Sequence, residues 1–247
     1  MTTVRVVLPA YNEAKALKTL LPDLASNLSE GWMKYHIYVV DDGSSDETPT
    51  VVKKFAGNNI TLLVHKKNLG LAETINTGFR AALGDSNNDD IIVTMDADST
   101  HLPGLILRMV RLIKEGNDIV ISSRYAQGAR VRGVPFRREM LSYLSSWIFR
   151  LLFPIRGVKD YTCGYRAYRA GLLKDAIKKY GGLFIDQKGF SCMVDILLKL
   201  REFDPIVIEV PMILRYDLKP GKSKMNVGNT IMETLTLVVK YLGGKQV

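Results

Sequence analysis

The sequence predicts an α/β fold in which a mostly parallel sheet is flanked by helices. Three apolar runs of strand length are each followed by a polar turn and a helical pattern: 4–8 with 17–24, 36–40 with 48–55, and 91–95 with 102–114. Repeated strand–turn–helix units form parallel sheets with right-handed crossovers. The three polar turns should therefore meet at the carboxyl edge of the sheet, where open α/β folds bind their ligands.

The third of these strands ends in a pair of carboxylates, Asp96 and Asp98, separated by the small residue Ala97. Two carboxylates at this spacing can share one hard divalent cation, which leaves its other positions for water and substrate phosphates. An isolated Asp-x-Asp is equally typical of a solvated turn at a strand end. The polar turns at 9–13 and 41–46 favour a functional site, because they would lie at the same edge.

The remaining pattern predicts further elements in alternation. Pro103 should lie in the first turn of the helix at 102–114. The other predicted elements are strands at 118–123 and 206–211, helices at 172–179 and 193–201, a Gly- and Arg-rich loop at 126–135, a loop with a short ordered stretch at 160–169, and a mobile loop at 215–226.

Two segments, 140–153 and 230–242, have the apolar periodicity of amphipathic helices. Such helices commonly pack on a core, but flanking arginines and exposed aromatics also suit a helix at a membrane interface. The second segment is about a dozen residues long, whereas a bilayer-spanning helix needs ~20 apolar residues. We therefore expect amphipathic interfacial helices and no membrane-spanning segment.

Composition narrows the class of protein. The chain has 247 residues, 47% apolar residues and a net charge of +9, which indicates one globular domain and phosphorylated or anionic partners. No helix-turn-helix, zinc-finger or RNA-recognition signature is present, so nucleic acid is not an expected partner. Cys163 and Cys192 lack the spacing of a zinc site or disulfide framework. The N-terminus does not resemble a signal peptide, so we expect a reducing cytoplasm.

The motifs at the strand ends resemble those of glycosyltransferase family 2, which has the nucleotide-sugar-binding GT-A (Rossmann-like) fold. They read Val7-Leu8-Pro9-Ala10-Tyr11-Asn12-Glu13, Val39-Val40-Asp41-Asp42-Gly43-Ser44-Ser45-Asp46, Lys67-Asn68-Leu69-Gly70 and Met95-Asp96-Ala97-Asp98. The second half resembles the polyprenol-phosphate hexosyltransferases, in particular mannosyltransferases that consist of a catalytic domain alone. Its motifs are Ser123-Arg124-Tyr125, Arg137-Arg138 with Ser142, Asp160-Tyr161-Thr162-Cys163-Gly164-Tyr165-Arg166, Gly189-Phe190 before Asp195, and Arg215 with Gly221-Lys222-Ser223-Lys224.

The resemblance implies roles for individual residues. The nucleoside pocket would be lined by Pro9, Ala10, Tyr11, Glu13, Val39 and Asp41. Asp96 and Asp98 would hold Mg²⁺ or Mn²⁺ against the donor diphosphate, near the Ala97 backbone, while Thr100 stands where relatives often have Gln. Donor and acceptor phosphates would be met by Arg124, Arg138 and Arg215, and the acceptor phosphate also by Ser142 and Lys224. Asp96, Asp98 and the three arginines would be the catalytic set.

The implied activity is metal-dependent, inverting transfer of a hexose to a polyprenyl or dolichyl phosphate. We expect GDP-mannose as donor, with UDP-glucose as an alternative. The enzyme would act at the cytoplasmic face of a membrane, where a membrane-embedded partner protein would also be compatible with the resemblance. Residues 1–247 would form one GT-A domain, with donor binding in 1–125 and acceptor binding in 126–247. Two alternatives remain open: a non-lipid hydroxyl acceptor, with Asp160 or Asp195 as base, and a non-catalytic subunit that binds nucleotide sugar or membrane.

Overall fold

The computed structural model describes residues 2–31, 33–57, 59–189, 191–219 and 227–243. The strands of this part of the chain are β1 (Thr3–Ala10), β2 (Lys34–Asp41), β3 (Ile60–Val64), β4 (Ile91–Thr94), β5 (Ile119–Ser123), β6 (Arg130–Arg132), β7 (Arg166–Arg169), β8 (Val207–Pro211) and β9 (Ile213–Arg215). The helices are α1 (Ala14–Glu30), α2 (Thr48–Lys53), α3 (Leu71–Gly84), α4 (Leu105–Lys114), α5 (Phe136–Leu152), α6 (Ala170–Tyr180), α7 (Ser191–Leu200) and α8 (Val227–Leu242).

A seven-stranded sheet forms the centre of the described structure, in the order β3-β2-β1-β4-β7-β5-β8. All neighbouring strands pair in parallel except β7, which is antiparallel to both β4 and β5. The predicted mostly parallel α/β sheet is therefore confirmed. A separate pair of short parallel strands, β6 and β9, lies outside this sheet.

The three polar turns of the sequence meet at one edge of the sheet, as predicted. β1 lies between β2 and β4, with Ala10 opposite Asp41 and Val7 opposite Thr94. The central strands are buried on both faces, which explains their nearly continuous apolar sequence. Their carboxyl ends consequently deliver the turns after Ala10, Asp41 and Thr94 to neighbouring positions.

Several predicted boundaries are wrong. The helix predicted from residue 102 begins at Leu105, because Pro103 lies in a preceding turn whose carbonyl accepts from Ile106 N. The predicted loops at 126–135 and 215–226 contribute β6 and the end of β9, and the stretch at 160–169 contains the central strand β7. β3 and α3 had no prediction, and residues 220–226 lie outside the described part of the chain.

Helix α3 packs closely on β1, and a glycine makes this contact possible. A Cβ atom at Gly78 would overlap the Cγ1 atom of Val7, whose side chain is fully buried. Gly84, at the end of the same helix, has no atom within 4 Å of the corresponding position. Gly78 therefore sets the distance between α3 and the sheet, and with it the position of the turn that precedes α3.

A buried polar cluster attaches the C-terminal helix α8. Asp195 on α7 accepts from Lys199 Nζ and from the Tyr241 hydroxyl, both at 2.8 Å. Asp186 forms salt bridges with Lys199 and with Lys240, the latter at 2.8 Å. Burial raises the pKa of Asp195 to about 6, although Lys199 opposes the shift. The cluster joins α8 to α7 by charge-assisted bonds.

Helices α5 and α8 contact each other and expose large apolar side chains on their outer faces. On α5 these are Phe136, Met140, Tyr143, Leu144, Trp147, Leu151 and Leu152, and on α8 they are Ile231, Met232, Leu235, Val239 and Leu242. Exposed apolar area on this scale marks an interaction surface. Across the described residues, each helix is too short or too polar to cross a bilayer.

We expect Gly78→Ala to lower the free energy of unfolding by ~1–3 kcal/mol, because the added methyl group overpacks the contact with Val7. Gly84→Ala is the matched control on the same helix, and it should be neutral or stabilise by up to ~1 kcal/mol. Urea unfolding followed by circular dichroism measures both. Equal effects of the two substitutions would contradict the proposed close contact.

The raised pKa of Asp195 predicts a component of stability that depends on pH. The folded state holds the Asp195 proton more tightly than the unfolded chain does. The resulting contribution to the free energy of unfolding is therefore complete below the pKa of the unfolded chain and is lost as pH rises through about 6. In the unaltered chain the free energy of unfolding should therefore fall by ~1–3 kcal/mol as pH rises through about 6, and Asp195→Asn should remove this fall. The exposed Asp175 provides the control Asp175→Asn. An unchanged pH slope of unfolding in Asp195→Asn would refute the assignment.

Candidate active site

A cavity of about 560 Å³ opens at the carboxyl edge of the sheet. The turns after β1 and β4 form one side, and residues of α5, α7 and α8 form the other. Among the lining residues are Pro9, Ala10, Tyr11, Glu13, Asp42, Asn68, Gly70, Asp96, Ala97, Asp98, Arg124, Arg138, Ser142, Ser145, Thr162, Gly164, Lys219, Ile231 and Thr234.

The turns after β1 and β2 are bonded to each other at one end of the cavity. Asn12, which has a φ of 53°, accepts through Oδ1 from the backbone N–H groups of Ser45 and Asp46. Glu13 N donates to the Thr48 hydroxyl at 2.9 Å. These bonds fix the adjacent lining residues without involving the sheet itself.

Two neighbouring aspartates at the end of β2 have different surroundings. Asp42 lines the cavity and accepts from Leu69 N and Gly70 N, both at 2.8 Å. Asp41 is buried and accepts from Ser44 N through Oδ1, whereas its Oδ2 atom has no hydrogen-bond partner among the described residues. Neither Asp41 nor the fully buried Val39 is a lining residue, so the structure does not place these two as expected.

Gly43 allows the turn after β2 to approach the turn before α3. Its φ is +68°, and a Cβ atom there would lie 2.5 Å from the backbone carbonyl carbon of Lys67. A side chain would be strained by the dihedral and would clash with backbone. The Asp-Asp-Gly sequence therefore brings Asn68 and Gly70 to the cavity wall.

The two carboxylates after β4 are in unequal environments. Asp98 is bonded at Oδ2 to Lys219 Nζ at 2.6 Å, and its Oδ1 accepts from the Thr100 hydroxyl at 2.6 Å. The Asp96 side chain keeps 40% of its area exposed and lies 4.0 Å from His101 Nε2. Asp98 thus carries its own counter-cation, whereas Asp96 faces the open cavity.

The pKa values of the pair move in opposite directions. The surrounding cavity walls desolvate Asp96 and raise its pKa although part of the side chain stays exposed, and the neighbouring Asp98 charge adds to this against the influence of His101. Burial acts in the same sense on Asp98, but Lys219 and His101 more than offset it and lower the pKa. Positive groups near Asp96 and Asp98, such as Lys219, therefore determine whether both carboxylates are ionised.

The donor set fits a hard divalent cation. Both residues offer carboxylate oxygens, and the ammonium group of Lys219 already places a positive charge against Asp98. In the described part of the chain, no group of three or more His, Cys, Asp or Glu residues is arranged for a metal. Mg²⁺ bound by one or two carboxylates and completed by substrate phosphates matches such a set. The Thr100 hydroxyl donates a hydrogen bond to Asp98 and so supports this carboxylate.

Arg124, at the end of β5, is held by a dense set of bonds. Its Nε and Nη2 atoms donate to Asp160 at 2.8 and 2.6 Å, Nη2 also donates to Thr162, and Nη1 donates to Ser142 at 2.6 Å. Of the five donors of a guanidinium group, these four bonds leave one. Burial lowers the pKa of Arg124, but Asp160 outweighs it and raises the pKa. Arg124 is therefore fixed and charged.

The other predicted phosphate-binding residues are only partly brought together. Arg138 lines the cavity, and its Nη1 atom donates to the Tyr216 hydroxyl at 2.8 Å. Ser142 lines the same wall. Arg215 does not line the cavity, because its guanidinium is paired with Asp217 at 2.8 Å and only its backbone N–H reaches Thr100 O. Lys224 lies outside the described residues.

Two polar residues of the site, His101 and Lys219, were not predicted from the sequence. His101 stacks on Tyr165 beside Asp96, and its position five residues after that carboxylate was the available signal. Lys219 is separated from Asp98 by 121 positions and lies in a segment that was predicted as a mobile loop. Its approach depends on the pairing of β9 with β6, which the local pattern does not indicate.

Comparison with known proteins finds relatives whose names describe related glycosyltransferases. The profile of "Glycosyl transferase family 2" matches residues 5–177. A dolichol-phosphate mannosyltransferase of Pyrococcus furiosus is 32% identical over 97% of this chain, which spans 63% of that protein. A polyprenol monophosphomannose synthase of Mycolicibacterium smegmatis is 30% identical over 96% of the chain and 85% of its own length. An undecaprenyl-phosphate mannosyltransferase of Micrococcus luteus is 29% identical over 96% and 93%.

Solved structures support the fold. Glucosyl-3-phosphoglycerate synthase of Mycobacterium tuberculosis, crystallised with Mn²⁺, UDP-glucose and phosphoglyceric acid, matches with a TM-score of 0.65 and 21% identity over 98% of this chain and 79% of its own. Another crystal structure of that enzyme gives a TM-score of 0.65 at 19% identity. The expected GT-A fold is confirmed. The family profile covers most of the chain, and the chain belongs to glycosyltransferase family 2.

Proposed function

We propose that this chain transfers a hexose, with mannose favoured, from a nucleoside diphosphate sugar to a polyprenyl or dolichyl phosphate. GDP-mannose is the favoured donor, and UDP-glucose is the alternative. The names of the three curated relatives support a polyprenol-type acceptor and mannose. The observation that carries the proposal is the single cavity that connects the Asp96 and Asp98 pair to Arg138 and Ser142 and reaches α8.

The donor is proposed to lie along the turns after β1 and β2. Pro9, Ala10 and Tyr11 line this end of the cavity. The unpartnered Oδ2 atom of Asp41 is suited to accept from an N–H group of the nucleobase, since a buried oxygen without a partner costs about 1–3 kcal/mol. Asp41 would bind the base after a small rearrangement of the wall, while Asp42 maintains the turn at Gly70.

Asp96 and Asp98 would hold Mg²⁺ or Mn²⁺ at the donor diphosphate. The cation, when bound, supplies charge stabilisation to the departing diphosphate as a Lewis acid. Lys219 adds a second positive charge at the same place, since it is bonded to Asp98. His101 accepts a hydrogen bond from the Asp96 backbone N–H through Nδ1 at 3.3 Å, and its Nε2 atom lies 4.0 Å from the Asp96 carboxylate.

The acceptor phosphate is proposed to bind at Arg138 and Ser142, with the remaining N–H of Arg124. A guanidinium group binds phosphate by charge-assisted bonds. A phosphate monoester has a second pKa of ~6, so it is already ionised near neutral pH. The chain then needs to orient a phosphate oxygen at the anomeric carbon and exclude water, and positioning carries most of the rate.

The structure gives little support to a hydroxyl acceptor that requires a base. Asp160 is fully buried, and both of its oxygens are bonded to Arg124. Asp195 is fully buried and bonded to Lys199 and Tyr241. Neither residue lines the cavity. The described carboxylates that do line it are Glu13, Asp42, Asp96 and Asp98, which lie at the donor end.

A peripheral position at the cytoplasmic face of a membrane is part of this proposal. The cavity is lined by Leu141 and Ser145 of α5 and by Ile231 and Thr234 of α8, the two helices with exposed apolar faces. A polyprenyl chain attached to a phosphate at Ser142 would leave between these helices, past Leu141 and Ile231, toward their exposed apolar faces. The net charge of +9 would favour an anionic leaflet.

Asp96→Asn and Asp98→Asn should each lower the transfer rate by at least about 100-fold, because each removes a negatively charged oxygen ligand at the diphosphate. The assay follows label from GDP-mannose or UDP-glucose into the organic phase with a short-chain polyprenyl phosphate. Asp175→Asn, an exposed substitution on α6, is the control. No lipid-linked label with either donor would refute the proposed acceptor, and full activity of either variant would refute the metal assignment.

Lys219→Met should raise the affinity for Mn²⁺ by about three- to tenfold without substrates, because the ammonium group competes for Asp98. Electron paramagnetic resonance of free Mn²⁺ measures this binding directly. Lys219→Arg retains the charge and should behave like the unaltered chain. A weaker affinity in Lys219→Met would mean that Lys219 positions Asp98 for the cation instead of competing with it.

A further inference from the structure

A second pocket, of about 340 Å³, lies against the side of α5 that does not face the first cavity. It is lined by Tyr125, Tyr143, Ser146, Trp147, Arg150 and Lys159. None of these residues lines the first cavity. Arg124 faces the first cavity and the next residue, Tyr125, faces the second, so the end of β5 separates two chemically different sites.

The pocket has an aromatic wall of fixed geometry. The rings of Tyr125 and Tyr143 are 5.5 Å apart at an interplanar angle of 83°, the edge-to-face arrangement that aromatic pairs favour. The guanidinium carbon of Arg124 lies 5.4 Å from the centre of the Tyr125 ring. Trp147 is half-exposed at the rim. The wall is therefore formed before any ligand binds.

Two hydroxyl groups, of Ser146 and Tyr125, are buried at this pocket. Ser146 is 2% exposed, and neither its Oγ atom nor the buried Tyr125 hydroxyl makes a hydrogen bond with a described residue. Burial raises the pKa of Tyr125, partly offset by Arg124 and by contacts with the Ser142 and Ser146 hydroxyls, so this hydroxyl remains protonated near neutral pH. Buried polar groups are nearly always hydrogen-bonded in folded proteins. Each hydroxyl carries one proton, and a ligand oxygen that accepts these protons would replace the loose contact between the two groups.

Two cations complete the pocket. Arg150 and Lys159 are exposed, and neither side chain forms a salt bridge within the described ranges. Hydroxyl donors at the base and unpaired cations at the rim form a set that complements a phosphate group, because phosphate offers several acceptor oxygens and negative charge.

We propose that this pocket binds the phosphate group of an anionic phospholipid, as a site separate from the one that binds the acceptor. Leu144 and Leu151, exposed on the same helix, would lie against the acyl region while Trp147 lies at the headgroup level. The assignment of the bound phosphate to a lipid rests on the membrane location proposed above, whereas the proposal of a phosphate site does not. A soluble phosphate compound is the other source of the same chemistry.

Vesicle binding tests the lipid source. Flotation with phosphatidylcholine vesicles that contain about 20% phosphatidylglycerol should show ~tenfold weaker binding of Arg150→Gln/Lys159→Gln, since each cation near an anionic surface contributes measurably. The control Arg108→Gln/Lys178→Gln removes the same charge from exposed positions on α4 and α6 and should bind like the unaltered chain. An equal loss in both would mean diffuse attraction and would overturn the proposed site.

Soluble phosphate tests the pocket itself. In a Trp32→Phe background, fluorescence of Trp147 should change on titration with glycerol 3-phosphate, and Ser146→Ala should weaken this response several-fold. A response that needs Ser146, combined with vesicle binding that ignores Arg150 and Lys159, would assign the site to a soluble phosphate and overturn the lipid source. No response and no difference between the vesicle variants would overturn the proposal entirely.

These readouts do not depend on glycosyl transfer. Nucleotide binding and transfer to a short-chain acceptor should be unchanged in Arg150→Gln/Lys159→Gln, because neither residue lines the first cavity. Failure of transfer with every donor would remove the proposed function while leaving the phosphate titration interpretable. Loss of transfer in this variant alone would instead indicate that the second pocket is part of the acceptor site.

Discussion

The ion pair between Arg124 and Asp160 connects the two halves of the site. Arg124 directly follows β5, Asp160 precedes β7, and the same guanidinium donates to Ser142 on α5. Asp160 is fully buried, so loss of its partner would leave an uncompensated charge at a cost of ~3–5 kcal/mol. Because β7 lies between β4 and β5, this pair fixes the segment 160–165 across the end of β4. Gly164, which accepts from the Thr94 hydroxyl, then lies beside Asp96.

Positive charge is distributed unequally along the cavity, and this asymmetry has a chemical consequence. Lys219 is bonded directly to Asp98, whereas Lys219, Arg124 and His101 act on Asp96 without a direct hydrogen bond to its carboxylate in the described structure, and the pKa of Asp96 stays raised. A carboxylate with a raised pKa gains the most from an added cation, since the cation favours its ionised form. The exposed member of the pair is thus the one whose charge a metal and a diphosphate would complete.

The sequence was sufficient for the parts of the site that depend on local pattern. β1, β2 and β4 are apolar because both of their faces are buried, so their ends and the position of Asp96 could be predicted. β7 was predicted only as a short ordered stretch and not as a central strand, because Arg166 is typical of the surface, although it is fully buried and donates to the carbonyls of Tyr161 and Met193. Arg215 was placed at the site by the family resemblance, which does not reveal that its guanidinium is paired with Asp217.

Helix α5 links the acceptor end of the cavity to the outer surface of the molecule. Ser142 and Ser145 face the cavity, whereas Ser146 and Trp147 face the second pocket one turn away. The Arg124 guanidinium contacts both sides, through its bond to Ser142 and its position over the Tyr125 ring. A phosphate bound at either site would therefore contact α5 and lie close to the Arg124 guanidinium. Since α5 also exposes apolar side chains, orientation of the helix at a lipid surface would also orient the entrance of the cavity.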